Sequence, residues 1–287
     1  MTQGKHLVLV TGATRGLGRL VAERFWRAGD DLVLVARHEA DLQQVRQELD
    51  CTARPGQCVH YCAADLSDLD QIPDLANTVQ KKAGSPDILI NNAAIQGPIG
   101  QFQTNDWAEW QNCMNVCLLA PVRLCQLFLP AMIENQYGRI INISGGGATA
   151  PRPNFSSYAT AKCGLVRFSE TLAQEMKTYG ITVNCIAPGA MNSALTQEIL
   201  LAGVQYAGSR EVETATELSR NNPHIEERAA DLVYFITSAP CSMITGKLIS
   251  AVWDPWEKIP LTSSYLAESD VYTLRRIVPE DRNSQNR

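Results

Sequence analysis

The stretch LVLVTGATRGLG, residues 7–18, decides the fold that we expect for this chain. A short apolar run passes through a glycine-rich turn into a segment whose apolar residues have helical spacing: Leu20, Val21, Phe25 and Trp26. Such a turn lets the backbone approach a pyrophosphate, whose charge is stabilised by the first amides of the helix. The stretch therefore predicts a dinucleotide-binding turn that includes Gly12, Thr14, Arg15, Gly16, Leu17 and Gly18. Its spacing differs from the G-x-G-x-x-G fingerprint, and an ordinary strand-to-helix turn is the alternative.

Further apolar runs follow this first strand and alternate with segments of helical period. Because most of the runs lack polar alternation, we expect strands buried on both faces and joined by helical crossovers. The sequence predicts an α/β fold, a single Rossmann-like, doubly wound parallel sheet of about seven strands with helices on both faces, within residues 1–252. The predicted strands are Leu7–Val10, Leu32–Ala36, Cys58–Ala63, Asp87–Ile90, Arg139–Ile143, Thr182–Ile186 and Lys247–Val252. Residues 253–287 lose the alternation and are expected to form a surface extension with a disordered tip.

Composition and charge exclude several classes of function. Hydrophobic residues make up 45% of the 287 residues and charged residues 19%, which is enough apolar surface for an ordered core. The net charge of −5 offers no surface for nucleic acid or an anionic membrane. No run approaches the roughly 20 apolar residues of a membrane span, and the first run is too short for a signal peptide. Nine cysteines without a Cys-x-x-Cys pair indicate reduced thiols and a cytoplasmic protein.

The residue after the second strand bears on the choice of cofactor. A site that prefers NAD usually places a carboxylate there to accept the ribose 2′-hydroxyl, whereas this strand ends in Ala36 and is followed by Arg37. Arg37, together with Arg15, offers planar guanidinium groups that suit a 2′-phosphate. The sequence therefore predicts NADP(H), with NAD(H) as the weaker alternative. The competing interpretation is that Arg37 pairs with Glu39 or Asp41 at the surface.

A tyrosine and a lysine lie four residues apart in a later segment of helical period. On a helix, Tyr158 and Lys162 share one face, with their Cβ atoms about 5 to 6 Å apart. A phenol with a pKa of about 10 transfers protons poorly at neutral pH, but a neighbouring positive charge lowers that pKa. The pair is thus a candidate for acid and base catalysis, and two exposed surface residues are the alternative.

Several motifs occur together in one order, and together they resemble a known family. The motifs are Thr11-Gly12-x-x-x-Gly16-x-Gly18, Asn91-Asn92-Ala93-Ala94, Asn115, Tyr158-x-x-x-Lys162 and Pro188-Gly189. Over about residues 5 to 250 they resemble the short-chain dehydrogenase/reductase family. The resemblance implies an NAD(P)-dependent enzyme that moves hydride between C4 of the nicotinamide and a carbonyl or carbinol carbon of a small molecule. It also implies a homodimer or a homotetramer.

The resemblance assigns roles to individual residues. It implies that Tyr158 transfers a proton to or from the substrate oxygen and that Asn115 holds a water for proton relay. It implies further that Lys162 lowers the pKa of Tyr158 and binds the nicotinamide ribose. The remaining cofactor contacts that it implies are Asp65 and Leu66 on the adenine side, Asn91 and Ala93 after the fourth strand, and Pro188, Gly189, Met191 and Ser193 in the nicotinamide-side loop.

The chain departs from the family at the catalytic serine, which usually lies 13 residues before the tyrosine. That position is Gly145, and the only nearby hydroxyl belongs to Ser144. In a regular strand, Ser144 would point away from the substrate because neighbouring side chains alternate between faces. The glycines at 145–147 leave two alternatives: a kink that turns Ser144 inward, or a main-chain N–H that takes the place of the missing hydroxyl.

The sequence names no substrate. Residues 192–223 take the place of a substrate lid, and Phe155 and Trp253 either stack on a substrate ring or belong to the core. We expect no metal, because the third strand aligns Cys58, His60 and Cys62 without a fourth ligand. The prediction is an NADP(H)-dependent oxidoreductase that interconverts a carbonyl and an alcohol on a small metabolite. The alternatives are an NAD-linked dehydrogenase and a catalytically weak dinucleotide-binding or sensing protein.

Overall fold

Seven parallel strands form one sheet in the middle of the domain. In the computed structural model, which describes residues 5–220 and 224–282, they lie in the order β3-β2-β1-β4-β5-β6-β7. Their bounds are Leu7–Thr11 (β1), Asp31–Ala36 (β2), Val59–Ala63 (β3), Ile88–Asn91 (β4), Gly138–Ile143 (β5), Ile181–Ala187 (β6) and Leu248–Ser250 (β7). Every neighbouring pair is parallel. The predicted doubly wound sheet is confirmed, and each predicted strand end lies within two residues of the observed one.

Side chains of β1 explain why the strand lacks polar alternation. Val8, Leu9 and Val10 are all fully buried. Val8 and Val10 belong to the core on one face of the sheet, and Leu9 belongs to the core on the other. Because successive side chains of a strand point to opposite faces, a strand covered on both sides must be apolar at every position.

Helices cover both faces of this sheet. They are α1 (Gly16–Ala28), α2 (Glu39–Asp50), α3 (Gln71–Ala83), α4 (Trp107–Met114), α5 (Ala120–Glu134), α6 (Ser156–Met176), α7 (Ala194–Ala207), α8 (Ser209–Arg220), α9 (Ile225–Ile236), α10 (Ser263–Glu268) and α11 (Pro279–Arg282). Apolar residues of α1, α2 and α9 pack on one face, and those of α3, α5 and α6 pack on the other. The resulting three layers are helix, sheet and helix.

The strand order reverses between β1 and β4. The chain proceeds from β1 outward to β3 and then crosses back to β4 on the other side of β1. The loops that follow β1 and β4 therefore diverge and open a crevice at the carboxyl edge of the sheet, where ligands of such folds bind. The predicted site residues that follow β1, β4, β5 and β6 all lie along this edge.

One long helical segment passes beneath the sheet. Pro121 and Pro130 predict a kink or break in it, but the interruption is a π turn at Asn115–Leu119, between α4 and α5. Pro121 lies in the first turn of α5 and Pro130 lies inside α5 without ending it. Among the described residues, this span, Trp107–Glu134, is long and apolar enough to cross a membrane, with a mean hydropathy of 1.9, and half of its most apolar window is buried in the domain.

The extension after β7 packs onto the domain. Trp256, Ile259 and Leu266 join the core on the α1 side of the sheet. The N–H of Leu248 donates to the Tyr272 carbonyl at 2.8 Å, so the returning chain lies beside the outer edge of β7. Trp253, by contrast, is 85% exposed. The tip that was predicted to be disordered lies, for residues 283–287, outside the described residues.

Candidate active site

The glycine-rich turn brings the end of β1 close to the end of β4. Gly12 has a φ of +66°, and a Cβ on it would lie 3.0 Å from the Ala93 Cα atom. A Cβ on Gly18 would collide with the Gly12 carbonyl, so only glycine lets the first turn of α1 pack so closely on the turn before it. The predicted residues Gly12, Thr14, Arg15, Gly16, Leu17 and Gly18 all lie in this turn or in the first turn of α1.

The amino end of α1 is free to bind an anion. Arg15 is its N-cap, with an extended backbone and no side-chain cap, and no acidic residue occupies the first turn. The first amides of the helix therefore lack side-chain acceptors, and the helix dipole favours negative charge at this end. Arg15 and Arg37 are both exposed nearby.

Arg37 has no ion pair with Glu39 or Asp41. Within the part of the chain that the structure describes, neither Arg15 nor Arg37 forms a salt bridge. The Glu39 carboxylate accepts a hydrogen bond from Gln43 instead. The pairing of Arg37 with Glu39 or Asp41 is therefore not observed, and both guanidinium groups are exposed.

Thr11 and Asn92 join the two loops that line the crevice, and the sequence prediction missed both as site residues. The Thr11 hydroxyl accepts the N–H groups of Asn92 at 3.0 Å and Ala93 at 3.1 Å. The Asn92 amide donates to the Thr11 carbonyl at 2.9 Å. The signal in the sequence was a polar residue that directly follows each of two apolar strands. These bonds hold the glycine-rich turn and the loop after β4 in register.

Asn91 contributes its side chain to the core. Its amide donates to the Asn142 side chain at 2.8 Å and to the Cys125 sulfur at 3.6 Å, and the residue is buried. The Asn142 amide in turn donates to Ser169 at 2.7 Å. The Asn91 side chain thus ties β4 to β5, which leaves only its main chain to face the crevice.

Asp65 and Leu66 lie in the loop after β3. The Ser67 N–H donates to the Asp65 carboxylate at 3.0 Å, and this bond is the main reason why the pKa of Asp65 lies below its usual value. Leu66 is buried. Asn115, in the π turn, contacts the same loop. Its side-chain amide donates to the Ser67 carbonyl at 3.0 Å. A π turn inside a helix frequently marks a functional position.

Tyr158 and Lys162 are buried together near the start of α6. They are 6% and 1% exposed, so the interpretation as two surface residues is wrong. The Lys162 ammonium lies 5.6 Å from the centre of the Tyr158 ring and donates to the Ile143 carbonyl at 2.7 Å. This bond directs the lysine toward the end of β5. The two side chains thus share one environment at the carboxyl edge of the sheet.

The pKa of Tyr158 is raised above its usual value. Burial is the main cause, and the adjacent Cys117 adds to the rise. The resemblance implies that Lys162 lowers this pKa, and the structure adds a second neighbouring cation, Arg152, that lowers it. The Arg152 guanidinium lies 5.7 Å from the centre of the Tyr158 ring. The sequence prediction missed Arg152, which no motif marks.

Tyr158 lies over Gly145. A Cβ on residue 145 would collide with the Tyr158 hydroxyl and would lie 3.0 Å from two ring carbons. Strand pairing stays regular up to Ser144, whose N–H donates to the Ile186 carbonyl at 2.8 Å. Ser144 and Gly145 follow the end of β5 at Ile143. The Ser144 hydroxyl is buried and has no hydrogen-bond partner among the described residues. The catalytic role of Ser144 stays a prediction.

The loop after β6 closes the other side of the edge. Pro188 is buried, Gly189 has a φ of +91°, and Met191 packs against the core on the α1 side of the sheet. The Ser193 hydroxyl accepts the Thr196 N–H at 3.4 Å and so caps α7. The nicotinamide-side loop of the resemblance therefore leads directly into the first lid helix.

Helices α7 and α8 lie in the segment 192–223 that was predicted to take the place of a substrate lid, and we call these two helices the lid; residues 221–223 lie outside the described residues. Phe155 is fully buried in a cluster with Ile199, Ala207 and Ala215, so it belongs to the core and has no face free for a substrate ring. Arg152 forms two hydrogen bonds with Glu211 of α8, at 3.0 and 2.7 Å. The loop before α6 is thus attached to the lid by a buried ring and an ion pair.

A doubly wound sheet with a glycine-rich turn at its switch point defines a dinucleotide-binding α/β domain. The profile of the short chain dehydrogenase family matches residues 6–202. The chain belongs to the short-chain dehydrogenase/reductase family and is an oxidoreductase that acts on CH–OH and C=O groups.

Two characterised relatives extend this likeness along most of the chain. The 3-oxoacyl-(acyl-carrier-protein) reductase FabG of Haemophilus influenzae is 32% identical over 244 residues, which cover 85% of this chain and 95% of the relative. Nodulation protein G of Rhizobium sp. is 31% identical over 248 residues, which cover 84% and 93%. The likeness therefore covers more of the chain than the residues that the family profile matches.

Solved structures agree with this assignment. A metagenomic short-chain oxidoreductase in complex with NADP has a TM-score of 0.70 and 28% identity, covering 87% of this chain and 99% of that chain. YwfH, an NADPH dependent reductase involved in bacilysin biosynthesis, has a TM-score of 0.75 and 24% identity, covering 86% and 97%. At that identity the second likeness shows the fold alone.

Proposed function

We propose that this chain is an NADP(H)-dependent reductase that interconverts a carbonyl and an alcohol on a small metabolite. The observation that carries the proposal is the buried pair of Tyr158 and Lys162 at the edge where the glycine-rich turn opens. When bound, the cofactor supplies the hydride for the carbonyl carbon. The chain supplies the binding site, the orientation of the substrate and the proton.

The residues of the crevice fit a phosphorylated dinucleotide. The uncapped amino end of α1 suits the pyrophosphate, and the unpaired guanidinium groups of Arg15 and Arg37 suit a 2′-phosphate. The resemblance adds Asp65 and Leu66 on the adenine side and Asn91 and Ala93 beside the cofactor after β4. It also adds Lys162, Pro188, Gly189, Met191 and Ser193 near the nicotinamide half. The relative solved with NADP supports the same cofactor. An NAD-linked enzyme remains the alternative.

Tyr158 is the proton donor of the proposed reaction. Because its pKa is raised, its hydroxyl is protonated at neutral pH, which is the form that gives a proton to the oxygen of a carbonyl during reduction. We propose reduction as the direction of the reaction. Lys162 holds its ammonium beside the ring and anchors it to the end of β5. Asn115 joins the π turn to the loop after β3, and we propose it for the proton relay that the resemblance implies.

A second candidate is a protein that binds the dinucleotide and turns substrate over slowly or not at all. Gly145 favours it, because the loss of one donor to the substrate oxygen costs about 10²- to 10³-fold in turnover. This candidate and the reductase share the fold and the cofactor site. They differ in whether Tyr158 moves a proton.

Substitution of Tyr158 by phenylalanine separates the two candidates. For the reductase, Tyr158→Phe abolishes NADPH oxidation with a panel of small ketones, β-keto esters and quinones, while the fluorescence titration of NADPH binding is unchanged. Tyr265→Phe, at a residue 63% exposed in the extension, is the matched control and retains activity. Activity that survives Tyr158→Phe, or no turnover by the unmodified chain with any probe, contradicts the reductase.

We also propose a cytoplasmic homodimer or homotetramer, with no nucleic-acid or membrane partner. All nine cysteines are free, which suits a reducing compartment. Trp107 and Leu119, both on the long helical segment Trp107–Glu134, are 60% and 41% exposed and offer apolar surface for a subunit contact. Light scattering after size-exclusion chromatography tests the assembly, and a monomer at micromolar concentration contradicts it.

A further inference from the structure

The guanidinium group of Arg152 is held in one position beside Tyr158. Its Nε and Nη2 atoms donate to the two carboxylate oxygens of Glu211 at 3.0 and 2.7 Å. Its central carbon lies 3.9 Å from the centre of the Phe155 ring. A two-pronged bond to a carboxylate and stacking on a ring each restrict a guanidinium, and together they determine its plane.

The surroundings of Arg152 are themselves rigid. Phe155 is fully buried, and the Arg152 side chain is only 14% exposed. The stem of Arg152 packs along the loop after β5, where a Cβ on Gly146 would lie 3.5 Å from its Cδ, Nε and Nη1 atoms. Glu211 lies on α8 of the lid. The Arg152 side chain is therefore fixed by contacts with both the lid and the loop that precedes α6.

Four ionisable side chains act on Tyr158 from the elements packed against it. Cys113 of α4 and Cys117 of the π turn raise its pKa, and Arg152 lowers it. Lys162 lies on the same helix, with its ammonium directed to the Ile143 carbonyl. Two cations thus lie at similar distances from the centre of the Tyr158 ring, Lys162 at 5.6 Å and Arg152 at 5.7 Å, and Arg152 is the one that is bound to the lid.

We propose that Arg152 is a positioning residue that stabilises the negative charge left on the Tyr158 oxygen during reduction, with Glu211 setting the strength of that effect. The proposal rests on the proposed function, since it takes Tyr158 as the proton donor. In the step, the Tyr158 O–H bond breaks, its electron pair stays on the phenolate and its proton binds the substrate oxygen. The carbonyl carbon takes up hydride from NADPH at the same time. Solvent then returns a proton to the phenolate.

The acidity of Tyr158 tests the proposal without substrate or cofactor. The full chain is labelled with 3-fluorotyrosine, whose phenol is more acidic than that of tyrosine, and is titrated by ¹⁹F NMR. The Tyr158 signal is assigned by its loss in Tyr158→Phe. Arg152→Gln makes the phenol about tenfold less acidic, since it removes a unit charge at close range. Glu211→Gln has the opposite effect, about threefold, because it unmasks the arginine while keeping one acceptor.

Arg228→Gln is the matched control. Arg228 lies 5.0 Å from the centre of the Trp256 ring and pairs with Glu257. It therefore combines a ring contact and an ion pair, as Arg152 does, in another part of the chain. We expect the Arg228→Gln substitution to leave the acidity of Tyr158 unchanged.

The proposal is overturned if Tyr158 titrates in the Arg152→Gln variant at the same pH as in the unmodified chain. It is also overturned by a shift in the same direction for Arg152→Gln and Glu211→Gln, because a merely structural attachment to the lid predicts that both variants act alike. If the Arg152→Gln variant does not fold, the Glu211→Gln variant alone tests the proposal. A Tyr158 phenol that is no more acidic in Glu211→Gln than in the unmodified chain then overturns it. The proposed function fails by a different result, namely turnover that survives Tyr158→Phe.

Discussion

The hydroxyl group of Tyr158 lies over Gly145, in the space that a Cβ atom on residue 145 would fill. Two carbons of the ring would lie 3.0 Å from that Cβ, which is closer than side chains normally approach. The glycine and the tyrosine therefore form one packed unit. A side chain at position 145 and the present position of the phenol exclude each other.

Restoring the family's serine at this position displaces Tyr158. We expect Gly145→Ser to lower the free energy of unfolding by about 1–3 kcal/mol, because the added atoms force the ring or the loop to move. We also expect it to reduce turnover. Gly146→Ser is the control, because a Cβ there makes only ordinary contacts at 3.5 Å. Urea unfolding and NADPH oxidation measure both effects. A Gly145→Ser variant of unchanged stability and higher activity would show that the site accommodates the serine.

Arg37 is expected to discriminate between the two dinucleotides. Arg37→Ala weakens NADPH binding by about tenfold to a hundredfold, the range for a hydrogen bond to a charged group, and leaves NADH binding unchanged. Fluorescence titration with each cofactor measures this difference. Arg46→Ala is the matched control, since Arg46 lies on α2 and pairs with Asp50 at 3.3 Å. An equal loss for both cofactors would mean that Arg37 does not contact a 2′-phosphate.

The raised pKa of Tyr158 predicts how each direction of the reaction depends on pH. The group is protonated below its pKa, and burial raises that pKa above the ordinary value of about 10. Tyr158 is therefore fully protonated at neutral pH, which is its proton-donating form. We expect the rate of reduction to be independent of pH between about 6 and about 9. Oxidation needs the phenolate and rises about tenfold per pH unit over the same range. Initial rates at saturating cofactor measure both profiles. An oxidation rate that levels off near neutrality would place the pKa of the essential base far lower.

Phe155 and Trp253 were both candidates for stacking on a substrate ring, and the structure separates them. Phe155 is fully buried under the lid, so Phe155→Ala is expected to cost about 3–5 kcal/mol of unfolding free energy. Trp253 is 85% exposed, so Trp253→Ala should change it by at most about 0.5 kcal/mol. Thermal and urea unfolding of the two variants test this contrast. Similar losses for both would indicate that Trp253 is covered in the folded protein.

The sequence predicted the sheet well because its strands carry local signals. The run from Leu7 to Val10 is apolar at every position, and only a strand buried on both faces requires that pattern. The glycine-rich turn was predictable for a similar reason, since the close approach of Gly12 to Ala93 and of Gly18 to Gly12 excludes any side chain. The spacing of Tyr158 and Lys162 predicted a shared helix face.

Contacts between distant segments were not predictable. The sequence placed a break in the long helical segment at Pro121 or Pro130, whereas the interruption is a π turn at Asn115–Leu119, whose first side chain bonds to Ser67 48 residues away. Arg152 and Glu211 are separated by 59 residues and lie in segments without a motif. Nothing local relates such pairs, because their proximity depends on how the lid packs.

By itself, then, the sequence determined the parallel sheet, the nucleotide turn and the helix that carries Tyr158 and Lys162, because short-range periodicity and backbone sterics specify each of them. Only the tertiary structure decided that the phenol is buried over Gly145, that the Lys162 ammonium turns to the Ile143 carbonyl and that Arg152 lies beside the same ring. Burial and electrostatic fields depend on every neighbour in space, and those neighbours come from all parts of the chain.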